Sequence, residues 1–168
     1  FVKIQDGCDR FCAYCVIPYL RGRSRSRSLE SAAAEILQSG APETVVTGID
    51  ISSYRDERGR DLSDLLLAVK DADTRIRLGS LEVGLISERF LRAAASVRNF
   101  APQFHLSLQS GSDRVLKSMN RHYTRAEYLQ RCAQIREVFP DAAITTDIIA
   151  GFPTETEEDF ALSLSMVE

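Results

Sequence analysis

Short β-rich runs recur every ~30–40 residues along this chain, and each gap between them carries the pattern of a helix. The runs are Phe1–Gln5, Thr44–Ile49, Arg75–Leu78, Gln103–Leu108 and Ala143–Ile149. A helical crossover returns the chain in its original direction, so consecutive strands of this kind must pair in parallel. Five such units predict an α/β fold, either a (β/α) barrel or an open doubly wound sheet. The helix boundaries are written in the capping residues. Ser28 caps a helix through Gln38, and Gly40 provides the left-handed stop beyond it. Asp61 or Leu62 opens a helix to about Asp73, Ser87 one through Val97, and Ser112 a short one. Thr124 with Glu127 forms a capping box for a helix to Phe139, closed by Pro140. Thr154 with Glu157 reads as another box, starting a helix that runs to Glu168.

In folds of this kind the chemistry collects at the C-terminal ends of the strands. Here those ends are followed by Gly7-Cys8, Thr47-Gly48-Ile49-Asp50, Ser80-Leu81-Glu82, Gln109-Ser110-Gly111-Ser112-Asp113 and Gly151-Phe152-Pro153. All are polar, glycine-bearing or metal-capable. Within Gln103–Leu108 the period of two puts His105, Ser107 and Gln109 on one face and Phe104, Leu106 and Leu108 on the other. The apolar face is expected to pack on helices, and the polar one to line an interior open to a ligand.

Cys8-x3-Cys12-x2-Cys15 places three thiolates on one tight loop, while Cys132 stands alone. Clustered cysteines without an export signal favour metal over disulfide. Thiolates select iron–sulfur clusters, zinc or copper. A structural zinc site wants four protein ligands, and the only histidines, His105 and His122, are remote in sequence. Three ligands without a fourth fit a [4Fe–4S] cubane with one iron free for a small molecule. A zinc loop completed by another chain, or a non-catalytic iron–sulfur module, is the competing reading. Cys132, in the helical run with Tyr128, Leu129, Ile135 and Phe139, is expected to be a buried core thiol.

Twenty-one Lys and Arg stand against 24 Asp and Glu, for a net charge of −3. That balance is wrong for a domain that lives mainly by neutralising phosphates. Arg21, Arg23, Arg25 and Arg27 could meet substrate phosphates or form a solvated loop. No apolar run approaches the ~20 residues of a membrane span, and Phe1–Asp6 shows no signal-peptide pattern. No membrane partner and a cytoplasmic location are therefore expected.

Gly7-Cys8-x3-Cys12-x-Tyr14-Cys15 resembles the signature of the radical S-adenosylmethionine (SAM) enzymes, whose fold is a partial (β/α) barrel. The stretch from Asp6 to Tyr19 with Arg21 to Arg27 is similar to the radical SAM methylthiotransferases in particular. So are Leu106–Asp113, Met119-Asn120-Arg121-x-Tyr123-Thr124 and Thr146–Thr156. The resemblance implies a [4Fe–4S] cluster on Cys8, Cys12 and Cys15 whose fourth iron is chelated by SAM. It implies Tyr14 near the adenine and Thr47 and Gly48 near the SAM amino group. Ser80, Glu82 and Gln109 become candidates for ribose or substrate contacts. Family members act on adenosine 37 of tRNA bearing isopentenyl or threonylcarbamoyl groups, or on a ribosomal-protein aspartate. Thr47-Gly48-Ile49-x-Ile51-x-Ser53-Tyr54 most resembles the threonylcarbamoyl branch. The implied reaction cleaves SAM reductively to a 5′-deoxyadenosyl radical, which abstracts hydrogen from C2 of the adenine before a methylthio group is installed. The implied partners are the tRNA anticodon loop and a one-electron donor such as flavodoxin or ferredoxin. On this resemblance, residues 1–168 correspond to the radical SAM core domain, with five of about six barrel strands. The N-terminal cluster domain and the C-terminal RNA-binding domain of the family are expected to be absent.

Overall fold

A computed structural model describes residues 1–167. Its strands are β1 (Val2–Asp6), β2 (Arg25–Ser26), β3 (Glu43–Gly48), β4 (Arg75–Leu78), β5 (Gln103–His105) and β6 (Ala143–Thr145). The helices are α1 (Ile17–Arg21), α2 (Leu29–Leu37), α3 (Leu62–Ala68), α4 (Glu88–Ser96), α5 (Asp113–Ser118), α6 (Arg125–Val138) and α7 (Glu157–Leu164). β1, β3 and β4 pair in parallel in that order, and β5 pairs in parallel with β6. Single parallel bridges, Ile76 to Phe100 and Leu81 to Leu106, carry the curve from β4 to β5. The five parallel strands thus follow one another around an arc that does not close, a partial (β/α) barrel.

Several details depart from the sequence expectation, α3 among them, which ends at Ala68 rather than near Asp73. The arginine run is not all loop: Arg25–Ser26 forms an antiparallel strand on the outer edge of β1, and α1 precedes it. The last helix is capped by Thr156 with Asp159, not by Thr154 with Glu157. That helix ends at Leu164 rather than running on; Glu168, where it was expected to finish, lies outside the described residues. Finally, β5 and β6 are shorter than expected, and beyond them pairing continues as the single Leu81–Leu106 and Gln109–Ile148 bridges.

The core lies between the arc and its outer helices. Ile4, Val46, Ile76, Phe104 and Leu106 point into it from the strands, against Ile36, Leu62, Leu65, Phe90, Ala94 and Ile135 from the helices. All are at most 1% exposed. Each large side chain buried this way contributes about 1.5–3 kcal/mol. The alternation expected along Gln103–Leu108 holds, with Phe104, Leu106 and Leu108 fully buried. Phe104 stacks on Phe100 and Phe139 at ring separations of 5.8 and 5.4 Å. Cys132 is buried on α6, whereas its neighbour Leu129 faces outward.

Candidate functional site

The three cysteines lie on the loop that leaves β1. Gly7, at φ +74°, turns the chain there, and the Cys8 amide donates to Gly22 O at 3.1 Å. A tight turn brings the Cys15 amide to Cys12 O at 2.9 Å. The α5–α6 connection clamps the loop from the opposite side. The Ala13 amide donates to Met119 O at 3.0 Å, and Asn120 Nδ2 donates to Arg10 O and Phe11 O at 3.1 and 3.0 Å. Inside the arc, the buried Gln5 knots β1 to the β3 exit: its Nε2 donates to Gly7 O at 2.7 Å and its Oε1 accepts from the Asp50 amide at 2.8 Å.

Cys8, Cys12 and Cys15, all half-buried, line one cleft of about 170 Å3. Tyr14, Ser80 and Glu82 line it with them, beside the apolar Ile17, Ile49 and Leu81. Burial pushes the Cys8 thiol above its ordinary pKa. Thr47, Gly48 and Gln109 do not line this cleft. A Cβ on Gly48 would meet Gln5 O at 2.8 Å, so glycine is needed there for β1 and β3 to approach. Gln109 is held through its backbone, to Asp147 O and from the Ile149 amide, both at 2.9 Å. A larger open hollow of about 500 Å3, lined by Ser52, Arg55, Asp61 and Arg89, meets the cysteine cleft at Arg10 but carries no thiol.

Of the charged network in this cleft, sequence reasoning assigned a role only to Glu82, as a ribose or substrate contact, and not its pairing with Arg10, Asp50 and Arg121. Arg10 Nε donates to Asp50 Oδ2 at 2.7 Å, and its Nη1 lies 3.7 Å from Glu82 Oε2. Arg121 Nη2 donates to both Glu82 oxygens at 2.7 Å. Arg121 Nε reaches the Tyr123 hydroxyl at 3.2 Å, and Nη1 reaches Cys12 Sγ at 3.3 Å. The Tyr123 hydroxyl itself donates toward Ser107 O and Leu108 O, at 2.8 and 2.7 Å. Burial opposes the Arg121 cation more than any single partner supports it, but Glu82, Tyr123 and Cys12 together raise the Arg121 pKa. Asp50, Glu82 and Ser107 stand at the ends of β3, β4 and β5, so this network ties three strand exits to the cysteine loop. A charge at a strand end must find a partner, which was a usable signal for Asp50 and Glu82. Arg121 stood only within the family-like run Met119-Asn120-Arg121-x-Tyr123-Thr124, with no role attached to it.

Arg21, Arg23, Arg25 and Arg27 are committed to carboxylates: Arg21 and Arg25 to Asp6, Arg23 to Asp9 and Arg27 to Glu35. His105 Nδ1 lies 3.1 Å from Thr145 Oγ1, and His122 is exposed. Among the described residues, no three His, Cys, Asp or Glu side chains converge on a single metal-ion position. A cubane binds each thiolate to a different iron, so three thiolates around one cleft fit it. Among the described residues no helix is long and apolar enough to cross a membrane.

Residues 2–167 match the radical SAM superfamily, whose members use a [4Fe–4S] cluster and SAM. The chain is 44% identical over its whole length to the threonylcarbamoyladenosine tRNA methylthiotransferase MtaB of Chlamydia pneumoniae, covering 41% of that protein. It is also 44% identical over its whole length to the tRNA-2-methylthio-N(6)-dimethylallyladenosine synthase of Bacteroides thetaiotaomicron, covering 39% of it. The chain thus spans about two-fifths of the length of these relatives. Among solved structures, the cobalamin-dependent SAM radical enzyme OxsB, with aqua-cobalamin and SAM bound, superposes with a TM-score of 0.78. That match covers 99% of this chain and 26% of OxsB at 14% identity, a likeness of fold. The cysteine loop, the open parallel arc and the match along nearly the whole chain lead to one assignment: this chain belongs to the radical SAM superfamily.

Proposed function

We propose that this chain is the catalytic core of a tRNA methylthiotransferase, one that adds a methylthio group to C2 of N6-threonylcarbamoyladenosine at position 37. The observation that carries the proposal is a cleft holding three thiols from one loop, with no fourth cysteine or histidine among its lining residues. Cys8, Cys12 and Cys15 would hold the cluster and leave one iron for SAM. Bound there, cluster and SAM would supply the one-electron reductive cleavage from which radical chemistry starts. The chain's own side chains do the rest. Tyr14 stands beside the thiols to flank an adenine, and Ser80 and Glu82 offer polar contacts on the cleft wall. Thr47 and Gly48 are the residues we assign to the SAM amino end, and Gln109 to substrate contact. Ile17, Ile49 and Leu81 keep water from the reacting centre.

The Thr47-Gly48-Ile49 run favours the threonylcarbamoyl branch, although relatives of both tRNA branches stand at the same identity. The remaining three-fifths of such a relative's length would supply an N-terminal cluster domain and a C-terminal RNA-binding domain that grips the anticodon loop. The electron would come from a flavodoxin or ferredoxin in the cytoplasm. Two experiments test this. Anaerobic reconstitution should load close to four irons per chain, give the visible absorbance of an iron–sulfur cluster, and give an EPR signal that SAM perturbs. Mass spectrometry of tRNA nucleosides, from cells lacking their own enzyme and expressing the full-length protein, should show the methylthiolated threonylcarbamoyl nucleoside. Methylthiolated isopentenyladenosine instead would reassign the branch, and a SAM-insensitive or zinc-loaded site would end the enzymatic reading.

A further inference from the structure

We propose that Arg121 is a positioning residue for the cluster: it donates an N–H···S hydrogen bond to the Cys12 thiolate and thereby sets the cluster's reduction potential, with Glu82 as its counterweight. This rests on the cluster-holding part of the proposed function and on nothing about tRNA. The guanidinium side chain is only 5% exposed. Its donors are directed: Nε to the Tyr123 hydroxyl, Nη2 to the Glu82 carboxylate, and Nη1 to Cys12 Sγ. The ring of Tyr123 lies against it, with the guanidinium carbon 5.0 Å from the ring centroid. A cation pinned on three sides cannot swing away from the sulfur, and in a half-buried cleft its field is weakly screened.

The consequence for redox follows from charge. When the cluster is reduced in a titration, dithionite is oxidised and gives it one electron; no bond forms or breaks, and negative charge is added over iron and sulfur. A donor aimed at a ligating sulfur stabilises the more negative state, and hydrogen bonds to cluster sulfurs are a known lever on potential. Glu82 works in the opposite sense by neutralising the guanidinium. Removing the cation and removing the carboxylate must therefore move the potential in opposite directions, which a purely structural role for the pair would not do.

The test is a spectroscopic redox titration of the reconstituted full chain without SAM, comparing wild type with Arg121→Gln, Arg121→Lys and Glu82→Gln. Far-UV circular dichroism and iron content serve as controls. For Arg121→Gln we expect a roughly tenfold shift of the one-electron equilibrium toward the oxidised form, about 59 mV downward. Glu82→Gln should shift it upward, and Arg121→Lys, which keeps the charge but loses the fork, should fall between wild type and Arg121→Gln. An unchanged or raised potential in Arg121→Gln overturns the inference, as does a lowered one in Glu82→Gln. If Arg121→Gln assembles no cluster, Glu82→Gln decides alone: a rise supports the role and any other result ends it. A wild-type chain that takes up no cluster would sink the proposed function as well. A cluster indifferent to both residues would sink only this inference.

Discussion

Replacing Gly7 with alanine tests whether the cysteine loop depends on one backbone position. Gly7 sits at φ +74°, and a Cβ there would lie 2.1 Å from Arg23 O and 2.6 Å from Gly22 O. Both are main-chain atoms, and Gly22 O is also the acceptor of the Cys8 amide, so neither can yield without moving the loop. The left-handed conformation costs an alanine about 1–2 kcal/mol, and overpacking against rigid neighbours adds about 1–3 kcal/mol. The sum, about 2–5 kcal/mol, corresponds to a fall in Tm of roughly 4–20 °C at ~2–4 °C per kcal/mol for a chain of this size. Gly40 supplies the control, because it has φ +59° and a Cβ there would meet nothing within 4 Å. Gly40→Ala should therefore show the conformational cost alone, about 1–2 kcal/mol. The assay is paired thermal and urea unfolding of both variants, with iron content after reconstitution. Gly7→Ala should be the less stable and should lose cluster, while Gly40→Ala keeps it. If the two unfold alike, the claim that the Gly22–Arg23 backbone cannot relax is wrong.

Other outcomes follow from the same contacts. Asn120→Ala removes two hydrogen bonds to the cysteine loop and should cost about 1–3 kcal/mol, speeding hydrogen exchange at the Ala13 amide; unchanged exchange would show that the clamp is dispensable. Asp56 is buried and accepts from the Leu29, Arg58 and Arg60 amides and the Arg60 guanidinium. That guanidinium above all holds its carboxyl well below the usual range. A lowered folded-state pKa gives stability that is present above the unfolded value near 4 and lost as pH falls below it. Asp56→Asn should thus be less stable near neutrality and lose less of its remaining stability on acidification, as urea midpoints measured from pH 7 to pH 3 would reveal. Cys132→Ala should cost about 1 kcal/mol of packing and leave iron content unchanged, whereas Cys12→Ala should lower it; a drop in iron for Cys132→Ala would contradict the buried-thiol role.

What could be foreseen varied with the distance over which each feature is set. Ser28, Ser87, Ser112 and Thr124 cap their helices as the local pattern indicates, since a cap needs only the three residues that follow it. The last helix shows where that logic stops. Thr154-x-x-Glu157 and Thr156-x-x-Asp159 fit a capping box equally well. Thr154, however, stands at φ +74°, outside the extended conformation an N-cap requires. The tie is broken by Asp159, which Ser112 and Arg114 hold from 45–47 residues away. The arginines at 21, 23, 25 and 27 were likewise ambiguous. Each finds its carboxylate only once β2 folds back beside β1 and α2 packs alongside.

The order of strands and helices and the loop bearing Cys8, Cys12 and Cys15 are decided by residues within a few positions of one another. Backbone periodicity, capping and thiol spacing are local, so the amino-acid order determined them unaided. The floor of the cleft was another matter. Arg121 meets Cys12 across 109 residues and Glu82 across 39, and Arg10 meets Asp50 across 40. No period links such positions. They become neighbours only because parallel strands deliver their C-terminal ends to one rim, where buried charges must pair with whatever the other strands bring. The thiols were therefore written in the sequence, and the cation beside them was chosen by the tertiary fold.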